Sequence, residues 1–264
     1  MSERWELDSA HKRGTFFISA YKPGYVMPFL WSSSPNRQPQ SENSANSLLT
    51  PINYNTVEAA FQLSFKSKIV QGIFKGYGDI WVAYSQKAIW QVYNRKISRP
   101  FREINSEPEI MLTVATKLSL YGFKLRMFGA SLNHQSNGKS LPLSRSWNRV
   151  IFFAGIEKST FQFYLRNWIR IPDSNDENPE ILNYYGRMEL LAIKNYKRNQ
   201  FSITATNSLR FDIQNHGSIL ASWGFPVYKN LRSQLHIGYG YGSSMVDYNH
   251  NQTTVGLAIS FIDW

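Results

Sequence analysis

The segment FQFYLRNWIRI, residues 161–171, sets Phe161, Phe163, Leu165, Ile169 and Ile171 on one parity and Gln162, Arg166 and Arg170 on the other. Successive side chains of a β-strand point to opposite faces, so this period of two makes one face apolar and the other charged. The same rhythm recurs along the chain in about twelve segments separated by turn-rich breaks. The others lie near 14–30, 58–71, 78–93, 105–117, 123–137, 144–157, 185–196, 200–211, 216–228, 231–246 and 253–264. The Ser-, Asn- and Pro-rich stretch 31–57 reads as one long loop, and PDSNDENPEI at 172–181 as another. No long helical pattern interrupts the series. The chain is therefore expected to be all-β.

Which face meets solvent decides between two architectures. A soluble β-sandwich buries its apolar face, whereas a transmembrane barrel turns that face outward and keeps a polar lumen. Three features favour the barrel. The segments have the ~10 residues that a tilted spanning strand needs. Their polar face carries Arg, Lys, Gln, Asn and Trp, and the chain ends TTVGLAISFIDW, a strand closing on an aromatic residue. On pattern alone a large soluble β protein stays open as the alternative. The expectation is an antiparallel transmembrane β-barrel of about twelve strands, one domain over 1–264, its interior filled by side chains such as Arg166, Trp168 and Arg170.

Composition narrows the chemistry. With no cysteine there is no disulfide framework, thiolate metal site or cysteine nucleophile. The opening MSERWELDSA lacks the apolar core of a secretory signal, so a barrel reading expects a leader already removed. The net charge of +11 raises nucleic-acid binding. The basic residues, however, alternate with apolar ones or sit in turns such as NYKRN at 195–199, which fits a lumenal face instead. No nucleic-acid partner is expected.

SLNHQSNGKSLPLSRSWNRV at 131–150 carries the candidate chemistry. If 123–137 and 144–157 pair about a loop centred on Leu141, His134 faces Asn148 and Ser136 faces Ser146. Cross-strand partners have Cβ atoms ~4.5–5.5 Å apart, so Ser136, His134 and Asn148 become one patch. A nucleophile beside a base beside an orienting group is the geometry of a catalytic triad. His134 and Ser136 share parity with Phe128, Ala130 and Leu132, and Asn148 with Val150 and Phe152. The patch is therefore expected on the lipid-facing wall. The bland alternative is a set of interfacial polar residues at a strand end.

The strings HQSNGKS and SRSWNR resemble the signature of the bacterial outer-membrane phospholipase A family. The segments YKPGYVMPF and YSQKAIWQVYNRKISRPFREINSEPEI (84–110) resemble the same family. Gln135 stands where the family often has Asp. The resemblance implies a calcium-dependent hydrolase of phospholipid and lysophospholipid acyl esters, of A1/A2 type, in the bacterial outer membrane. It implies Ser136 as nucleophile, His134 as general base, Asn148 as the residue orienting the imidazole, and the Gly138 N–H as an oxyanion donor. It also implies Ca2+ held by the Ser144 hydroxyl, the Lys139 carbonyl and Ser98 of a neighbouring subunit, a calcium-bound water giving the second oxyanion donor. Leu141 departs from members with an acid there, which puts any monomer-only calcium site in doubt.

A shared ligand implies a reversible, calcium-favoured homodimer. Gln86 is the one amide on the row Ile80, Val82, Tyr84, Ala88, Trp90, Val92 and is the expected dimer contact. Glu103, Glu107 and Glu109, near Arg99 and Arg102, read as a lumenal salt-bridge network. His11, His216, His236 and His250 show no ligand spacing. The rival readings are an inert pore or structural barrel, and a soluble esterase.

Overall fold

The structure is a computed structural model in which residues 1–260 are described. Twelve strands form a closed antiparallel ring: β1 (Tyr25–Ser32), β2 (Val57–Phe74), β3 (Tyr77–Trp90), β4 (Glu103–Ala115), β5 (Phe123–Ser136) and β6 (Ser146–Lys158). The ring continues with β7 (Phe161–Ile171), β8 (Met188–Tyr196), β9 (Asn199–Asn207), β10 (Gly217–Tyr228), β11 (Leu231–Gly240) and β12 (Gln252–Ser260). Each strand pairs with the next, and β12 pairs back to β1, so no edge is left open.

Connections alternate between short and long. Ser159, Lys197 and Lys229, each the first residue of a two-residue turn, adopt the left-handed conformation that matches strand twist in tight hairpins. At the opposite rim lie the long connections 33–56, 91–102, 137–145, 172–187, 208–216 and 241–251.

The two faces follow the parity read from the sequence. Ile110, Phe128, Leu132, Phe152 and Ile169 are exposed on the outer wall. Lys66, Lys68, Glu107, Glu109, Arg149 and Trp168 are buried inside. An apolar exterior around a charged interior is the arrangement of a barrel in hydrocarbon. It works because every ladder N–H and C=O finds a neighbour in the closed ring. Among the described residues no helix is long and apolar enough to cross a membrane, so the strands do the spanning.

The lumen is filled on the side of β2–β7. Glu107 takes Lys22 at 2.5 Å and Arg149 at 3.3 Å, and Glu109 takes Arg166 at 3.0 Å and Tyr21 at 3.1 Å. Toward the short-turn rim Trp5, Tyr21, Trp81, Met111 and Met127 pack together. Beside β8–β12 smaller polar residues such as Ser202, Thr204, Ser218 and Ser222 leave a cavity of about 350 Å³.

Several boundaries differ from the sequence reading. The segment 14–30 is broken: Ile18–Ala20 pairs with the far half of β2, and β1 begins only at Tyr25. Residues before it fold into the lumen, where a short helix, Ser2–Trp5, sets Trp5 in the aromatic cluster and Glu6 pairs with Lys68 at 2.7 Å. The segment 231–246 stops at Gly240, whose φ of +118° ends the strand. Residues 31–57 are irregular apart from the last two residues of β1, the first residue of β2 and a 3-10 turn, Ser44–Asn46. The carboxylate network exists with other partners: Arg102 pairs with Glu58 and Asp247, and Arg99 makes no ion pair among the described residues. Glu107 and Glu109 take Lys22, Arg149 and Arg166, which closure brings to them across the lumen, while Glu103 accepts from Asn105, Asn137 and the backbone N–H of Val246. The terminal aromatic of the last strand lies in 261–264, outside the described residues.

Candidate active site

The β5–β6 hairpin has the register expected from its loop, with His134 opposite Asn148 and Ser136 opposite Ser146. Its inner face is held rigidly. Gln135 accepts from Trp147 Nε1 at 2.9 Å, and Asn133 accepts from Arg149 at 2.6 Å and donates to Glu107 at 3.0 Å. Those buried contacts fix the parity of the wall. A one-residue slip would drive Arg149 into lipid, so His134, Ser136 and Asn148 are locked on the outer face.

On that face His134 Nδ1 donates to Asn148 Oδ1 at 2.8 Å. This bond selects the tautomer with its proton on Nδ1, leaving the Nε2 lone pair as the basic atom. All three residues are half-buried at the long-loop rim. No hydrogen bond joins Ser136 Oγ to His134 among the described residues, a common condition of a site without substrate.

The loop after Ser136 is cross-tied by Asn137. Its Oδ1 accepts from the backbone N–H of Arg145 at 2.9 Å and of Lys139 at 3.3 Å, and its Nδ2 donates to Leu143 O at 2.8 Å. Gly138 takes φ +61° with open space where a Cβ would stand. The left-handed backbone conformation, and not crowding, is what favours glycine here. Arg145, fully buried, donates to the carbonyls of Pro142, Ser144, Gln40 and Asn46. Burial lowers its pKa from the ordinary value, opposed by the nearby Tyr248, Glu103, Glu177 and Glu42. The 137–145 and 33–56 loops are thereby joined.

The residues expected to hold calcium lie on two loops, Lys139 and Ser144 in 137–145 and Ser98 in 91–102. The Ser144 hydroxyl donates to Glu177 Oε1. Lys139 Nζ donates to Phe101 O at 2.9 Å, which draws in the 91–102 loop carrying Ser98. The Ser98 carbonyl accepts from Trp90 Nε1 at 2.6 Å. Among the described residues no cluster of three His, Cys, Asp or Glu side chains forms a metal site. Gln86 sits on the outer face of β3 between Leu63 and Ser106, half-buried, and its side chain makes no hydrogen bond among the described residues. Glu177 and Asn178 were not legible as neighbours of the site. Asn178 accepts from Ser146 N at 3.2 Å, and both residues come from a polar loop with no spacing signal.

Known proteins resemble this chain in sequence and in overall fold. The phospholipase A1 family model matches residues 1–261. The chain belongs to the phospholipase A1 family. A phospholipase A1 of Klebsiella pneumoniae is 32% identical, covering 94% of this chain and 83% of its own length. The Escherichia coli outer-membrane phospholipase A structure superposes with a TM-score of 0.83 at 29% identity, covering 94% of this chain and 99% of that one. A Salmonella typhi outer-membrane phospholipase dimer with bound calcium gives a TM-score of 0.84 at 30% identity, over 97% and 95% of the two chains. With its apolar outer wall, this member of the family is a bacterial outer-membrane β-barrel.

Proposed function

We propose that the chain is a calcium-dependent phospholipase that hydrolyses acyl esters of phospholipids and lysophospholipids at its lipid-facing wall, with A1 and A2 specificity. The observation that carries this reading is the 2.8 Å bond from His134 Nδ1 to Asn148, with Ser136 two residues along on the same outward parity. A lipid ester in the adjoining leaflet meets Ser136 without leaving the membrane.

In the first step Ser136 Oγ attacks the acyl carbonyl carbon while His134 Nε2 removes its proton. His134 then returns that proton to the leaving alkoxide oxygen as the ester C–O bond breaks, which leaves an acyl-serine and a lysolipid alcohol. Water, deprotonated by the same nitrogen, adds to the acyl carbon; the bond to Ser136 breaks, and the serine recovers the proton as the fatty acid departs. The amide of Asn148 holds the imidazole without placing a formal charge beside hydrocarbon, where an unpaired carboxylate is costly. The Gly138 N–H is the oxyanion donor of this scheme.

Calcium takes oxygen ligands. The loop chemistry fits, since the Ser144 hydroxyl meets Glu177, whose Oε2 is buried with no hydrogen-bond partner among the described residues. The Ser144 hydroxyl, the Lys139 carbonyl and Ser98 of a neighbouring copy would hold the ion, which would supply positive charge for the oxyanion when bound. A reversible homodimer follows from that shared set, with Gln86 as its polar contact in lipid.

The test is fatty-acid release from mixed phospholipid–detergent micelles, with and without a chelator, by the wild type and Ser136→Ala. Activity lost in the variant and on chelation is the expected result. Full activity in Ser136→Ala would discard the triad.

A further inference from the structure

Proline is unsuited to the middle of a sheet, because it lacks the N–H of a ladder bond, and it is found on edges or at bulges. Pro108 nevertheless stands inside β4, in a ring with no edge, on its exposed outer face. Ser106 pairs with Ser136 and Glu109 with Asn133, so one register runs through both sides of this point. Only the two pairs between them, 107 with 135 and 108 with 134, are missing. Both share one hydrogen bond, from the N–H of residue 108 to the carbonyl of residue 134, which proline cannot make. On its other side Pro108 pairs normally with Tyr84. The interruption falls on one residue of the neighbouring strand, and that residue is His134.

The outer wall therefore carries a transverse row Tyr84, Pro108, His134, Asn148. The imidazole has an amide on one flank, bonded at 2.8 Å, and a pyrrolidine ring on the other. That ring offers neither donor nor acceptor, so it leaves Asn148 as the polar cross-strand neighbour. Its φ is fixed near −65°, so the flank is also stiff. A local rule broken beside a candidate base calls for a gain elsewhere, and orientation of the ring is the gain available at this position.

We propose that Pro108 is a positioning residue for His134, which gives up one ladder bond to hold the imidazole toward Asn148 and Ser136. This rests on the triad proposed above. The experiment compares Pro108→Ala and Pro108→Val with the wild type. It measures the thermal unfolding midpoint in detergent, kcat and KM for ester hydrolysis, and the rate at which a fluorophosphonate labels the enzyme, with Ser136→Ala as the labelling control. Both variants regain the N–H, so their unfolding midpoints are expected to equal or exceed that of the wild type. Meanwhile kcat and the labelling rate fall roughly 10- to 100-fold, the scale of a misoriented catalytic group, at unchanged KM. A merely structural proline would instead lower stability and activity together, or leave both unchanged, and either result overturns the proposal. A wild type that is not labelled, or a Ser136→Ala enzyme that is, would count against the triad itself. Normal labelling and kcat in both proline variants counts against Pro108 alone.

Discussion

Replacing Asn148 with alanine removes a single hydrogen bond, the one received from His134 Nδ1 at 2.8 Å. In the resting enzyme it joins two neutral groups, worth about 1 kcal/mol net; once His134 carries the serine proton it joins a cation, worth about 1.5–3 kcal/mol. Only the difference, roughly 0.5–2 kcal/mol, belongs to the transition state. Asn148→Ala is therefore expected to lower kcat by roughly 2- to 30-fold, at ten-fold per 1.36 kcal/mol. The bond is made by His134 and not by the lipid, so KM should stay the same. Asn148 is half-buried on the outer wall, and loss of the resting bond should lower the unfolding midpoint by only about 2–4 °C. Initial rates on mixed micelles at saturating calcium, with the unfolding curve as control, measure this. An unchanged kcat, or a loss confined to KM, would refute Asn148 as the orienting residue.

Three further outcomes follow. Gly138→Ala forces an L-residue to φ +61° at about 1–2 kcal/mol, so the loop is expected to shift and kcat to fall with little change in unfolding midpoint; wild-type turnover would count against the Gly138 N–H as oxyanion donor. Gln86→Leu should weaken self-association roughly 3- to 30-fold by sedimentation in detergent with calcium, and undiminished association would remove Gln86 from the interface. In the 241–251 loop burial raises the Asp247 carboxyl, yet Arg102 at 3.0 Å and the Ser244 hydroxyl at 2.7 Å bring it below its ordinary value. With the folded pKa depressed, its stabilisation is whole above the unfolded value of about 3.9 and is lost as pH falls through the folded one. Asp247→Asn strips Arg102 of one buried partner and should cost about 3–5 kcal/mol at neutral pH, with the gap to wild type narrowing on acidification below about pH 4; equal midpoints at neutral pH would show the pair to be dispensable.

The alternation of side chains determined most of what could be read without coordinates. Parity is local: Phe161 to Ile171 sort themselves whatever the rest of the chain does, and the hairpin register that sets His134 against Asn148 follows from its loop alone. For the same reason the triad candidates and their outward face were legible within about twenty residues of sequence. What tertiary structure decided is non-local. Closure of twelve strands matched Glu107 to Lys22 and Arg149, separations of 85 and 42 residues, and no spacing rule chooses among so many charges of either sign. It set Glu177 on Ser144 and folded Glu6 back onto Lys68, contacts that exist only once the loops meet and the lumen has walls. Pro108 shows the division within one residue: the sequence displays a proline in a strand, but only the register of two neighbouring strands reveals that the bond it withholds belongs to His134.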